Sequence, residues 1–167
     1  MAKKIVTHHS KYKSVIVSKF DMRKIHDGLK MEMKQLVDSL VFRFEQIGEE
    51  AIKIARSKTW EDGSFHDITG NLRSSIGYAI LVDGKVHKQS DFKAVAGRID
   101  DGTKGSATGQ ALITKLQSKF PWGVVLILCA GMNYAAYVES VKHKDVLTSA
   151  ELVADKLFKQ LLKGIVA

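Results

Sequence analysis

Six histidines, His8, His9, His26, His66, His87 and His143, are the residues best suited to hold a metal. None stands four residues from another on a helical stretch, and neither His-Glu-x-x-His nor Cys-x-x-Cys occurs, so their spacing builds no metal centre. The segment Gly102-Thr103-Lys104-Gly105-Ser106-Ala107-Thr108-Gly109 has the glycines and lysine of a phosphate cradle. In a phosphate loop the lysine directly follows the second glycine, so that backbone amides and ammonium converge on one phosphate. Here the lysine precedes its glycine, and the segment reads as a surface loop before a helix. Ser74, Ser75 and Cys129 could act as nucleophiles. Yet no Gly-x-Ser-x-Gly elbow is present, and Cys129 sits in the most apolar stretch of the chain, where a thiol is normally inert. The expectation is a protein that is not an enzyme, with no catalytic, cofactor-binding or metal-binding residues.

The elements that must position these residues follow from periodicity. Met22, Ile25, Leu29, Met33, Leu36, Leu40, Phe44, Ile47, Ala51 and Ile54 recur at spacings of three and four, which predicts an amphipathic helix over 22–57. Such a helix is ~50 Å long. A compact domain of this size has a radius of gyration of only ~15 Å. The helix must therefore start late, bend near Gly48, or project with an apolar stripe on offer to a neighbouring subunit. Residues 14–20 read as a short strand, 76–82 and 85–89 as a hairpin closed by Asp83-Gly84, and 123–130 as a central strand. Leu112, Ile113, Leu116 and Phe120 fit one face of a helix ended by Pro121. Thr148-Ser149-Ala150-Glu151 has the form of a capping box that opens a last helix. Residues 91–109, with Gly97, Gly102, Gly105 and Gly109, read as a long glycine-rich loop, mobile until a partner orders it. The competing reading is a loop pinned to its own domain by Phe92 and Val95.

The 167 residues suffice for one domain with a real core. Hydrophobic residues make up 45% and charged residues 26%, which excludes a disordered chain. A single cysteine excludes an intramolecular disulfide. The N-terminal residues are basic, and no uninterrupted apolar segment or cleavage site follows them, so the expectation is a soluble protein that is not secreted. The net charge of +8 is uneven: residues 1–30 carry eight Lys/Arg against two Asp/Glu. This arm, with Lys3, Lys4, Lys11 and Lys13, suits an acidic protein surface or non-specific contact with DNA. The predicted architecture is α+β: a basic arm and strand over 1–20, then one domain over 21–167. In it a long N-terminal helix packs on a small antiparallel sheet with two further helices.

Two segments are more specific. Asp67-Ile68-Thr69-Gly70-Asn71-Leu72-Arg73-Ser74-Ser75-Ile76 and Gly131-Met132-Asn133-Tyr134-Ala135-Ala136-Tyr137-Val138-Glu139 together resemble the minor tail-component, or tail-completion, family of tailed bacteriophages. That family pairs a Thr-Gly-Asn-Leu-Arg-Ser-Ser-Ile-like segment with a later Tyr-Ala-x-Tyr-Val-Glu. Where the family often continues Val-Glu-Phe-Gly-Thr, this chain has Val138-Glu139-Ser140-Val141-Lys142. The resemblance implies a virion protein at the head–tail junction or tail end, assembled in the host bacterial cytoplasm. It implies self-association into a ring and contact with connector, tail-tube or tail-terminator proteins, without catalysis, cofactor or membrane. The rival expectation is a nucleic-acid-binding protein that uses the basic arm. Thr69 or Asp67 can cap a turn, Leu72 and Ile76 can anchor it, and Arg73 is expected to point outward to a carboxylate or phosphate. Thr69, Gly70, Asn71, Arg73, Tyr134, Tyr137 and Glu139, with Asp100, Asp101 and Lys104 of the loop, are the candidate interface residues.

Overall fold

The structure, a computed structural model, describes residues 6–8, 15–17 and 21–166. Lys3, Lys4, Lys11 and Lys13 lie outside the described residues. The chain divides into two compact units, Met1–Asp38 and Ser39–Ala167, and the division falls well beyond residue 20. In the first unit, strand β1 (Val6–His8) pairs antiparallel with β2 (Val15–Val17). Helix α1 (Met22–Ser57) begins in this unit and has the limits that its periodicity predicts. Its apolar positions step by three, four and four from Met22 to Ala51, an eleven-residue repeat. In the first unit that stripe is exposed, with Met22 at 70% and Leu29 at 61%.

The second unit is an α+β layer structure. Strand β3 (Ile76–Val82) is central, β4 (Lys85–Gln89) pairs on one side of it and β5 (Val124–Ala130) on the other, both antiparallel. The expectation of a central 123–130 strand is thus corrected: β5 is an edge strand. Its apolar composition goes with full cover of Ile127 and Cys129 on one face and partial cover of Val124, Leu126 and Leu128 on the other, not with neighbours on both edges. On one face Ala79, Leu81, Ile127 and Cys129 pack with Phe92 and with Ile113 of helix α3 (Thr103–Gln117). On the other, Tyr78 lies against Gly48 of α1, where a Cβ would fall 2.7 Å from the ring. Phe44 of α1 meets Phe158 of helix α5 (Thr148–Val166) at 5.7 Å between ring centroids. The period-two alternation of a strand sorts the side chains between these faces. Asp83 and Gly84, at φ 47° and 75°, make the tight hairpin expected from their types.

α3 begins at Thr103, so the second half of the expected 91–109 loop is helical. Its glycines serve close packing, not freedom: a Cβ on Gly105 would overlap the Asn71 carbonyl, and one on Gly109 would lie 2.5 Å from the Phe92 ring. The first half is held by hydrogen bonds. Arg98 and Ile99 donate their amides to the Ile68 carbonyl, at 2.7 and 3.2 Å, and Phe92 is buried. The pinned-loop reading is the one the structure follows.

Candidate functional site

The two quoted segments meet at one junction. Gly70, at φ 71°, precedes the short helix α2 (Asn71–Ser74) and crosses the 95–97 backbone so closely that a Cβ would lie 2.7 Å from the Gly97 nitrogen. Only glycine combines that φ with that approach. Asn71 is buried and uses both ends of its amide: Nδ2 donates to Asp100 Oδ2 at 3.0 Å, and Oδ1 accepts the Gly105 amide at 2.9 Å. The second bond satisfies an orphan amide in the first turn of α3. Asp101 Oδ1 takes the Thr103 amide at 3.0 Å and its hydroxyl at 2.8 Å, which holds the Asp101 carboxyl below the usual range. Lys104 is exposed beside them.

Arg73 does not point outward. Its Nε donates to Asp67 Oδ2 at 2.9 Å, while Nη1 and Nη2 donate to the carbonyls of Arg56 and Lys58, the latter at 3.1 Å. The planar fork of guanidinium donors fits one carboxylate and two carbonyls at once, and it closes the C-terminal end of α1. Ser74 and Ser75 are fully buried and donate to the Gly70 and Leu72 carbonyls, at 2.7 and 2.8 Å. Each hydroxyl also accepts a main-chain amide: Val95 on Ser74 at 2.8 Å, Met132 on Ser75 at 3.3 Å. The Met132 bond, with the Gly131 amide donating to the Ser75 carbonyl at 3.0 Å, joins the first segment to the second. Cys129, one turn of ladder away, has its thiol pushed up to about 12 by burial, partly offset by a bond from the Gly77 amide.

In the second segment, Ala135–Ser140 forms helix α4. Glu139 Oε1 accepts the Leu147 and Thr148 amides, at 2.9 and 2.7 Å, and the Thr148 hydroxyl at 2.7 Å. The expected capping box is thereby corrected: Glu139, not Glu151, completes the first turn of α5, and Glu151 stays exposed. Asp145 assists by accepting the Ser149 amide at 3.1 Å and pairing with Lys58. Tyr134 and Tyr137 keep exposed surface, 37% and 51%. Burial of part of the Tyr134 ring raises its phenol, against a Thr69 hydroxyl bond that lowers it. Of the expected interface residues, then, Gly70, Asn71, Arg73 and Glu139 face inward onto the frame. Tyr134, Tyr137, Asp100, Asp101 and Lys104 are exposed.

Spacing did not single out Ser74 and Ser75 as main-chain bridges, nor the Lys58–Asp145 pair across 87 residues. The four-residue step from Gly105 to Gly109 was the one available sign of a close helix packing. Among the described residues no three His, Cys, Asp or Glu side chains are grouped to hold a metal, and no helix is long and apolar enough to cross a membrane. The chain matches no family model, no curated protein and no solved structure.

Proposed function

We propose that this chain is a structural subunit of a phage or prophage virion, a tail-completion or head–tail connector protein that works by assembly. The observation that carries the reading is the use made of the two family-like segments. Asn71, Arg73, Ser74, Ser75 and Glu139 of these segments spend their polar groups on joining α1, α2, α3, β5 and α5 into one frame. A frame of this kind suits a part whose task is to hold a surface in place. That surface includes Tyr134 and Tyr137, aromatic side chains of the type enriched at protein interfaces.

The test is localisation. Purified particles from a host expressing an epitope-labelled chain should carry the label at the neck or tail end in electron micrographs. Label on the capsid shell, or particles without the chain, would overturn the reading. Tight binding of duplex DNA that falls steeply with salt and is lost on deleting residues 1–20 would instead establish the nucleic-acid reading.

A further inference from the structure

The three-stranded sheet has two open edges, and they differ in chemistry. β5 contains no charged residue and no proline. Its ladder to β3 runs on through Asp83–Gly123 and Gly131–Ser75, whose main-chain bonds put Gly123, Val125, Ile127 and Cys129 on the inward side of the alternation. Val124, Leu126, Leu128 and Ala130 therefore turn their amides and carbonyls outward, and no main-chain partner meets them among the described residues. Beside this edge lies an open apolar groove of about 360 Å³, walled by Phe44, Leu126, Leu128 and Phe158 and rimmed by Glu151 and Asp155. β4 is the opposite. It is exposed along its whole length, carries Lys85, His87 and Lys88, and pairs with β3 through a register shift.

Lysines and irregular register are the usual protection of a strand edge against its own kind, and β5 has neither. Two β4 edges would bring lysine against lysine, and two β5 edges would bring the acidic rims together. A β5 edge against a β4 edge sets Glu151 and Asp155 near Lys85 and Lys88. Lys88 already pairs with Glu45 and Asp155 with Lys159, whereas Lys85 and Glu151 make no ion pair among the described residues and are the two charges left for such a seam.

We infer that the outer edge of β5 pairs with the outer edge of β4 in a second copy of this chain, joining the sheets head to tail. The contact is heterologous, the kind that closes rings, and the inference rests on the assembly reading above. β4 and β5 run in the same sense, since both are antiparallel to β3. Copies related by a rotation that keeps strand direction therefore pair them in parallel.

The full chain should self-associate in sedimentation experiments below millimolar concentration. On association the Leu126 and Leu128 amides should pass from fast to slow hydrogen exchange. Lys85→Glu and Glu151→Lys should each weaken association about three- to tenfold, and the double variant should recover it. Val124→Pro removes one outward amide at the first position of the strand, where proline is tolerated, and should abolish association while the monomer keeps its circular dichroism. A chain that stays monomeric at millimolar concentration, fast Leu126 and Leu128 exchange in the associated form, or no recovery in the double variant would each overturn the seam. Particles that carry the chain at the neck without this seam would leave the virion reading standing. A seam in a chain absent from particles would remove the virion reading alone.

Discussion

Replacing Arg73 by lysine keeps the charge and removes the fork. The wild-type guanidinium makes three bonds, to Asp67, Arg56 and Lys58, at a site where its side chain is 19% exposed and that of Asp67 15%. A hydrogen bond to a charged group contributes about 1.5–3 kcal/mol net, with the upper end reserved for groups shielded from water. A lysine ammonium on its single stem can hold Asp67 or one carbonyl, so at least one bond is lost and one carbonyl is left to whatever water reaches it. Arg73→Lys should then cost about 2 kcal/mol, and Arg73→Ala about 3–4 kcal/mol because Asp67 loses its counter-charge as well. In urea melts the midpoint should fall with little change in slope, and the thermal midpoint of the lysine variant should drop by about 4–8 °C. A cycle with Asp67→Asn should return a coupling of about 1–3 kcal/mol. A lysine variant within about 0.5 kcal/mol of wild type would refute the claim that the fork closes α1.

Gly105→Ala should cost about 3 kcal/mol or more, since its Cβ meets main chain at Asn71, 2.6 Å from the carbonyl carbon, and not a movable side chain; chemical melts measure it. Gly28→Ala, where nothing lies within 4 Å, should be neutral or slightly stabilising in the same assay. Asn71→Asp puts a second carboxylate about 3 Å from Asp100, which raises the pKa of the new group, so its penalty should be full at neutral pH, shrink as pH falls through that raised value and be gone by pH ~4, the ordinary carboxyl range. A melt series from neutral to acid pH, with wild type alongside, shows whether the gap narrows. Cys129, its thiol raised to about 12 by burial, should resist thiol reagents at pH 8 in the native chain and react at once in denaturant.

Much of the fold was legible because long elements write themselves in periodicity. α1 and the β3–β4 hairpin have the limits read from spacing and turn type. The errors share a cause: each lay where a distant residue supplies what the local sequence lacks. Gly102 offers no side chain to cap α3, and its first amides go to Asp101 next door and to Asn71 from 34 residues away, so a stretch that looks like a loop is helical. Glu151 sits at the right spacing for a box, but Glu139 arrives first. Arg73 looks like a surface cation until the end of α1 is brought to it. The apolar run 124–130 is only half-buried on one face, and its composition says nothing about which edge is free. At the junction, residue types indicated a turn at Gly70, whereas the Ser74 and Ser75 bridges depend on Val95 and Met132, which no spacing connects to them.

The remote closing of helix ends has a consequence for how the second unit comes apart. The last turn of α1 depends on Arg73 and the first turn of α3 on Asn71, two residues apart on one short helix. Neither end is fully bonded before α2 is seated, since Asp101 holds only the Thr103 amide of α3, and once α2 leaves, both ends lose its bonds together. Fraying should therefore not spread gradually inward from these ends. Native-state hydrogen exchange should find residues 54–57, 71–75 and 103–106 opening as one cooperative block with a common free energy. In such a molecule, loosening travels along the chain in a single step or does not start.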